Sequence, residues 1–447
     1  MIPNNIVSRQ RALAMACFLI LGLTSKLALA NSLEDMVGAG GRSKAMGGVG
    51  TALSTDLSAV YYNVANLAFG KESTFTMGFS HIDYNFTVNA EPEDPEMESM
   101  RPRDNITLGL SLLLPFDLSF GVMINVAPKV PQFFDQGSPD PKPRFVMYGQ
   151  RLEQISFMFG FAYKVVDSLS VGVGTAALVN SDLDIDNSIP ILTKGIPMDN
   201  RFAWTLESNM AYYAGLHYRP SDEFHLGLSY RSSVFHKMKA YAVTAVHAGG
   251  IPLDMNMILE VYSWYSPAQV ALGSSYLPNS DWVISFDLTW YDWSRYPGPF
   301  IKTSPANNPA LATILEFQEY KSPKFQDVVV PRFGVEMKAS EAVALRAGYS
   351  YRFSPAPAPT SNENLLDSDM HIGTLGLGYR WEYQEKPSPN HAKTDKLDAF
   401  AIDLDLYASI GVMPTTKVHK TDVQEVLNDF DFGGMVYDFG FLVTSGF

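Results

Sequence analysis

Residues 440–447 read GFLVTSGF. Phe439, Phe441, Val443, Ser445 and Phe447 share one parity, and four of the five are apolar; Gly440, Leu442, Thr444 and Gly446 on the other parity are mostly small. Strict alternation marks a β-strand with two unlike faces. A strand that closes on an aromatic raises a question, because chain ends fray unless something ties them down.

The first thirty residues supply part of the answer. Arg9 and Arg11 precede the apolar run ALAMACFLILGL (12–23), and Ala28-Leu29-Ala30 forms an A-x-A cleavage site. This is the pattern of a secretory signal over 1–30. Its apolar core is too short for the ~20 residues that span a bilayer as a helix. Cys17, the single cysteine, leaves with the signal, so the exported chain has no disulfides or thiol chemistry. Loss of Arg9, Arg11 and Lys26 takes the net charge from −14 to about −17, which argues against nucleic acid as a partner. No other run approaches ~18 apolar residues, although 46% of the chain is hydrophobic. The choice is between a large soluble β-protein and an outer-membrane barrel.

Alternation decides it. Ile106-Leu108-Leu110-Leu112 oppose Thr107-Gly109-Ser111, and Leu118-Phe120-Val122-Ile124-Val126 oppose Ser119-Gly121-Met123-Asn125. The pattern recurs at 155–163, 169–174, 209–218, 224–231, 267–277, 282–293, 328–338, 342–353, 372–383, 399–408 and 435–447. With 73–88 in front, fourteen strands are expected, the first with a bulge near His81, where its apolar parity changes. Short turns such as Pro115-Phe116-Asp117 and Pro220-Ser221-Asp222 alternate with long connections at 89–104, 127–150, 180–204, 236–258, 294–327, 354–370 and 409–434. Short turns on one side, long loops on the other and an even strand count mark a bacterial outer-membrane barrel. Trp282 and Trp290 lie eight residues apart, roughly 20 Å along a tilted strand, close to the ~25 Å between aromatic girdles. The expected fold is therefore all-β: a 14-stranded antiparallel transmembrane β-barrel over 73–447, in the outer membrane of a Gram-negative cell. GFLVTSGF is its closing strand, paired with the first. Phe447 is expected to serve assembly, read by the barrel-insertion machinery.

Residues 31–72 do not alternate. They are Gly-rich with short apolar pieces and are expected to sit in the lumen as a plug. Gly38-Ala39-Gly40-Gly41 lacks the spacing of a phosphate loop. The segment resembles the N-terminal hatch of the FadL-type outer-membrane transporters of long-chain fatty acids and other hydrophobic compounds. The resemblance rests on Gly40-Gly41-Arg42, Met46-Gly47-Gly48, Ala52, Asp56-Leu57-Ser58-Ala59-Val60-Tyr61-Tyr62-Asn63 and Ala65, with Val64 where that family usually has proline. It continues through SPAQVALGSSY (266–276), DLTWYDWSRY (287–296) and PRFGVEMKASEAVALRAGYSYRFSPAPAP (331–359). It implies a ligand that binds among the loops, enters a lumen pocket, and leaves sideways after the hatch moves.

Parity places Arg231, Asp287, Arg332, Glu336, Lys338, Arg346, Arg352, Arg380, Glu382, Asp403 and Asp405 in the lumen. Pairing across strands explains most such charges. An arginine able to receive a carboxylate is the functional alternative, with Arg346 and Arg332 first, then Arg380 and Arg352. Asn308-Pro309 begins an expected amphipathic helix with Leu311, Ile314 and Leu315 on one face. With Phe133 and Phe134 in another loop, it is a candidate hydrophobic landing site. Gly41, Arg42, Gly47, Gly48, Asp56, Asn63 and Ala65 are the hatch candidates. The acidic run 91–96 is either solvated or a cation contact at the lipopolysaccharide surface. No catalytic, metal or cofactor motif is present, so neither an enzyme nor a cofactor is expected. The expected function is uptake of long-chain fatty acids or similar hydrophobic molecules. The alternatives are a channel for aromatic or alkane hydrocarbons, a non-specific porin, and a structural or adhesin barrel.

Overall fold

The period-two pattern closes into a single ring in the computed structural model, which describes residues 37–90, 100, 102–126, 143–148, 156–177, 187–193, 196–248, 251–298, 302–305, 323–359, 364–384, 399–420 and 429–447. Fourteen antiparallel strands form a closed barrel. They are Thr74–Ala90, Arg103–Leu113, Leu118–Val126, Ser156–Val166, Leu169–Ala177, Ala211–Ser221, Phe224–Arg231, Gln269–Tyr276, Trp282–Tyr291, Val328–Lys338, Val343–Arg352, Met370–Gln384, Ala399–His419 and Asp429–Gly446. The last strand pairs with the first from Thr74 opposite Gly446 to Ala90 opposite Phe430. The Thr76 and Thr444 hydroxyls add a 2.9 Å bond across that seam. Phe439, Phe441 and Phe447 stay exposed on the outside, as do Trp282 and Trp290.

The bulge expected at His81 is absent. The first strand stays in register with both neighbours through that position. What changes is the inward face. Phe75 and Met77 face outward, whereas Ile82, Phe86 and Val88 are buried on the inward parity. From Ile82 onward the inward side of the strand packs into the aromatic and aliphatic cluster under the strap at 143–148. A register shift lies instead between Met413 and Thr416, against the closing strand.

Three connections expected as loops carry a second sheet. Asn187–Thr193, Ile196–Ser208, Val234–Ala248, Ile251–Ser266 and Lys302–Pro305 form five strands outside the ring. A strap at 143–148 also crosses the cap, with Arg144–Phe145 paired in parallel to Leu365–Leu366. Phe145 stacks on Phe86 at 4.2 Å between ring centres. This upper cluster of buried aromatics and aliphatics roofs the barrel.

Residues 37–72 lie against the inward face of the wall. Short helices Gly41–Ala45 and Ala59–Tyr62 and a 3-10 turn Val64–Phe69 fold the segment. Asn63 caps that turn by accepting from the Ala65 amide at 3.2 Å. The wall receives the segment at glycines. A Cβ on Gly348 would overlap the Gly47 amide, one on Gly227 the Thr51 carbonyl, and one on Gly215 the Asn63 side chain. Glycine on the small parity of these strands therefore makes room for a second backbone inside the ring.

Candidate functional site: a charged, aromatic cavity in the barrel lumen

The segment is fastened by polar contacts to many strands. Arg42 donates to both Glu336 oxygens, at 2.8 and 2.7 Å. Lys44 donates to Tyr407 at 2.9 Å and Asp438 at 3.1 Å. Burial alone would lower the Lys44 ammonium pKa, but Asp438 and Tyr407 outweigh it and raise it above the ordinary value. Asp287 accepts from the Gly50 and Thr51 amides at 2.8 and 2.9 Å. Thr374 accepts from the Gly47 amide and donates to the Ala45 carbonyl, both at 2.8 Å. Asn63 donates to the Thr51 and Leu216 carbonyls, and Ser170 to the Ala65 carbonyl. Asp56 turns on itself, accepting from the Ser58 amide at 2.9 Å. Gly41 faces Asp405 and Leu442, where a Cβ would sit 2.7 and 3.2 Å from their side chains.

Above this segment lies a cavity of about 120 Å3. Val328, Val330, Met370, Ile372, Trp293 and Phe353 give it apolar walls, and Met147 and Tyr148 of the strap contribute to its lining. Among the described residues three cations reach it: Lys44, Arg332 and Arg352.

The four candidate arginines separate here. Arg346 bonds Glu336 at 2.7 Å and also pairs with Asp405, so its guanidinium is shared between two carboxylates. It does not line the cavity. Arg380 pairs with Glu382, Asp403 and Glu72, away from the cavity. Arg352 faces the cavity but holds the fully buried Asp367 with two bonds, 3.0 and 2.7 Å, and donates to Tyr148 at 2.8 Å. Arg332 differs. It donates to the hydroxyls of Thr289 at 2.8 Å and Tyr291 at 2.9 Å, and among the described residues no carboxylate lies within ion-pair distance of it. Its stem rests on Gly48, whose φ of 81° suits glycine. Beside it, burial pushes the Tyr62 phenol up to about 12, so Tyr62 presents a neutral hydroxyl.

Lys44, Tyr62, Tyr291 and Tyr148 were not singled out as site residues from sequence. Tyr61-Tyr62 stood in the quoted motif, but nothing in its spacing shows which side faces a cavity. Phe133, Phe134, Leu311, Ile314 and Leu315 lie outside the described residues. The Phe447 amide bonds the Ser73 carbonyl at 2.9 Å, and its ring is exposed.

The comparisons fit this geometry. A family model described as outer membrane protein transport protein (OMPP1/FadL/TodX) matches residues 22–387. The chain belongs to that family. It is an outer-membrane transport barrel for hydrophobic compounds and not an enzyme. Alkane uptake protein A of Marinobacter nauticus is 20% identical over 347 residues, 73% of this chain and 74% of that one. A FadL homologue of Pseudomonas aeruginosa superposes with a TM-score of 0.54 at 15% identity, covering 94% and 98% of the two chains. The toluene transporter TodX of P. putida does so at 0.56 and 18%, covering 92% and 99%. At these identities the structures speak for the fold.

Proposed function

We propose that this transporter takes up long-chain fatty acids or closely similar amphiphiles. The observation that carries the proposal is Arg332, a guanidinium at the edge of an apolar cavity with hydroxyls as its hydrogen-bond partners. A carboxylate arriving there replaces neutral acceptors with a charge-assisted pair. The alkyl chain lies along the valine, methionine and aromatic walls. The sequence favoured Arg346 equally, but its ties to Glu336 and Asp405 weigh against it. Residues 37–72 act as the hatch, the ligand leaves sideways through the wall once they move, and mass action drives the step. The exposed aromatic band meets outer-membrane lipid and lipopolysaccharide, and the closing strand with Phe447 is read by the insertion machinery.

A second reading, uptake of alkanes or aromatic hydrocarbons, draws on the Marinobacter relative. Binding of oleate and hexadecane to purified protein separates the two. Arg332→Gln is expected to weaken oleate about ten-fold or more, the worth of a charged hydrogen bond, and to leave hexadecane unchanged. Tight hexadecane binding with oleate indifferent to Arg332 would establish the hydrocarbon reading instead.

A further inference from the structure

The wall strand Val328–Lys338 is held unequally by its two neighbours. It pairs with Trp282–Tyr291 from Val328 opposite Tyr291 to Met337 opposite Trp282. Against Val343–Arg352 the ladder reaches only to Arg332 opposite Ser350. Tyr351 and Arg352 continue the second strand, but their register partners are His371 and Met370 on its far side. The two chains meet again where the Gln326 amide donates to the Pro355 carbonyl at 2.9 Å. Between these points lie residues 327–331 on one lip and 351–354 on the other, roughly 16 Å of strand at ~3.3 Å per residue. Pro331 accounts for the break. It has no amide to donate, and proline inside a sheet is confined to edges, strand starts and bulges. One more residue lies on the Pro331 lip than on the other, as at a bulge.

Both lips line the main cavity, Val328 and Val330 from one, Ser350, Phe353 and Pro355 from the other. Phe353 is exposed and packs edge-on against Tyr351, 4.7 Å between ring centres, so one side chain reaches both faces of the wall. Outside, Val329 stands opposite Trp290, and both are exposed. The Tyr349 hydroxyl shares a 2.8 Å bond with His371, and the Tyr351 hydroxyl donates to Asp369 at 2.6 Å. Aromatics with polar tips sit at the border of the lipid layer, where an open ladder is tolerated as it is not in the hydrocarbon core. From above, the strap and its aromatic cluster roof the cavity.

We propose that this seam is a side entrance, through which ligand already dissolved in the outer leaflet passes between the two strands into the main cavity. Parting paired strands in a membrane leaves backbone groups unsatisfied. Here the strands spread without breaking a rung of the ladder. The route differs from the entry among the loops that the family resemblance implies. It rests on the uptake reading above only in placing the ligand in the main cavity, and it needs no carboxylate.

The test follows capture from a bilayer. Full-length protein in nanodiscs is mixed with liposomes carrying tritiated oleate or hexadecane, and label bound above that of empty nanodiscs is measured with time. In a Cys17→Ser background, Val329→Cys and Phe353→Cys are bridged across the seam with a short bis-maleimide. Capture should slow about ten-fold or more, as for a closed gate, with the amount bound at equilibrium unchanged. Pro331→Val, which restores an amide, should slow it as well. A bridge between Phe333→Cys and Tyr349→Cys, directly opposite each other in the paired part of the same seam, should leave the rate as in wild type. Wild-type capture by the bridged Val329–Phe353 pair and by Pro331→Val would overturn the proposal, as would equal slowing by both bridges. If hexadecane is captured through the seam and oleate is not captured at all, the fatty-acid reading falls and the side entrance stands.

Discussion

Arg42 of the lumenal segment 37–72 and Glu336 of the barrel wall form a two-pronged ion pair, 2.8 and 2.7 Å, and the same Glu336 carboxylate also accepts from Arg346. One wall carboxylate thus links that segment, the proposed hatch, to a neighbouring strand. Arg42→Ala removes the hatch side of this junction and leaves Arg346 to neutralise Glu336. The expected cost is on the order of 2 kcal/mol of hatch anchoring, with the barrel intact. Hydrogen exchange over residues 37–52 should quicken, and bilayer recordings should show conducting events that wild type lacks. Unchanged exchange would mean that the pair does not fasten the hatch.

Gly348→Val tests the fit by shape. Its side chain would collide with the Gly47 amide and the Met46 carbonyl carbon, both backbone atoms that cannot swing aside. The barrel should still form, because outward faces and strand register are untouched. The hatch should be displaced, giving higher conductance and weaker ligand binding. Wild-type conductance in this variant would contradict the packing described.

Arg346→Ala and Arg332→Ala should fail differently. Removing Arg346 leaves Glu336 and Asp405 short of a partner, with a stability loss of about 3–5 kcal/mol as for a broken buried pair. It should lower the melting temperature and weaken charged and neutral ligands alike. Removing Arg332 breaks no ion pair among the described residues, and Asp287 opposite it keeps its bonds from the Gly50 and Thr51 amides, so melting should change less than for Arg346 while oleate binding falls. Thermal melts and binding on the same preparations distinguish the two.

Tyr148→Phe breaks the bond from the strap to Arg352 but keeps its ring. The expected loss is about 1–3 kcal/mol, felt locally. Hydrogen exchange at 143–148 should rise and the transmembrane strands should not change. Uniformly raised exchange would mean that the strap is not a separate unit.

The barrel was legible because lipid enforces period two on every strand it touches. Trp282, Trp290 and Phe441 stand where alternation put them. Above the bilayer that rule lapses. In Val234–Ala248, VFHKMKAYAVTAVHA, neither parity is consistently apolar, so the strand was read as loop. The first strand's change of apolar face at His81 looked like a bulge, but the register is unbroken and the change marks where its inward side begins to pack into the upper cluster. For the site, parity placed all four arginines in the lumen but could not say which carboxylate each would meet. Glu336 and Arg346 are directly opposite across two strands, a local relation. The engagement of Arg352 depends on Asp367 beyond a long connection, and Arg332 bonds hydroxyls among the described residues although Asp287 lies opposite it in the register.

On the proposed reading this barrel carries an anionic amphiphile whose head group is received at Arg332. The most direct measurement is uptake of radiolabelled oleate and hexadecane by cells in which the gene is deleted, complemented with wild type or Arg332→Gln. Deletion should abolish oleate uptake, wild type should restore it, and Arg332→Gln should restore only a small part. Oleate uptake at wild-type rates in the deleted strain, or full restoration by Arg332→Gln, would contradict it.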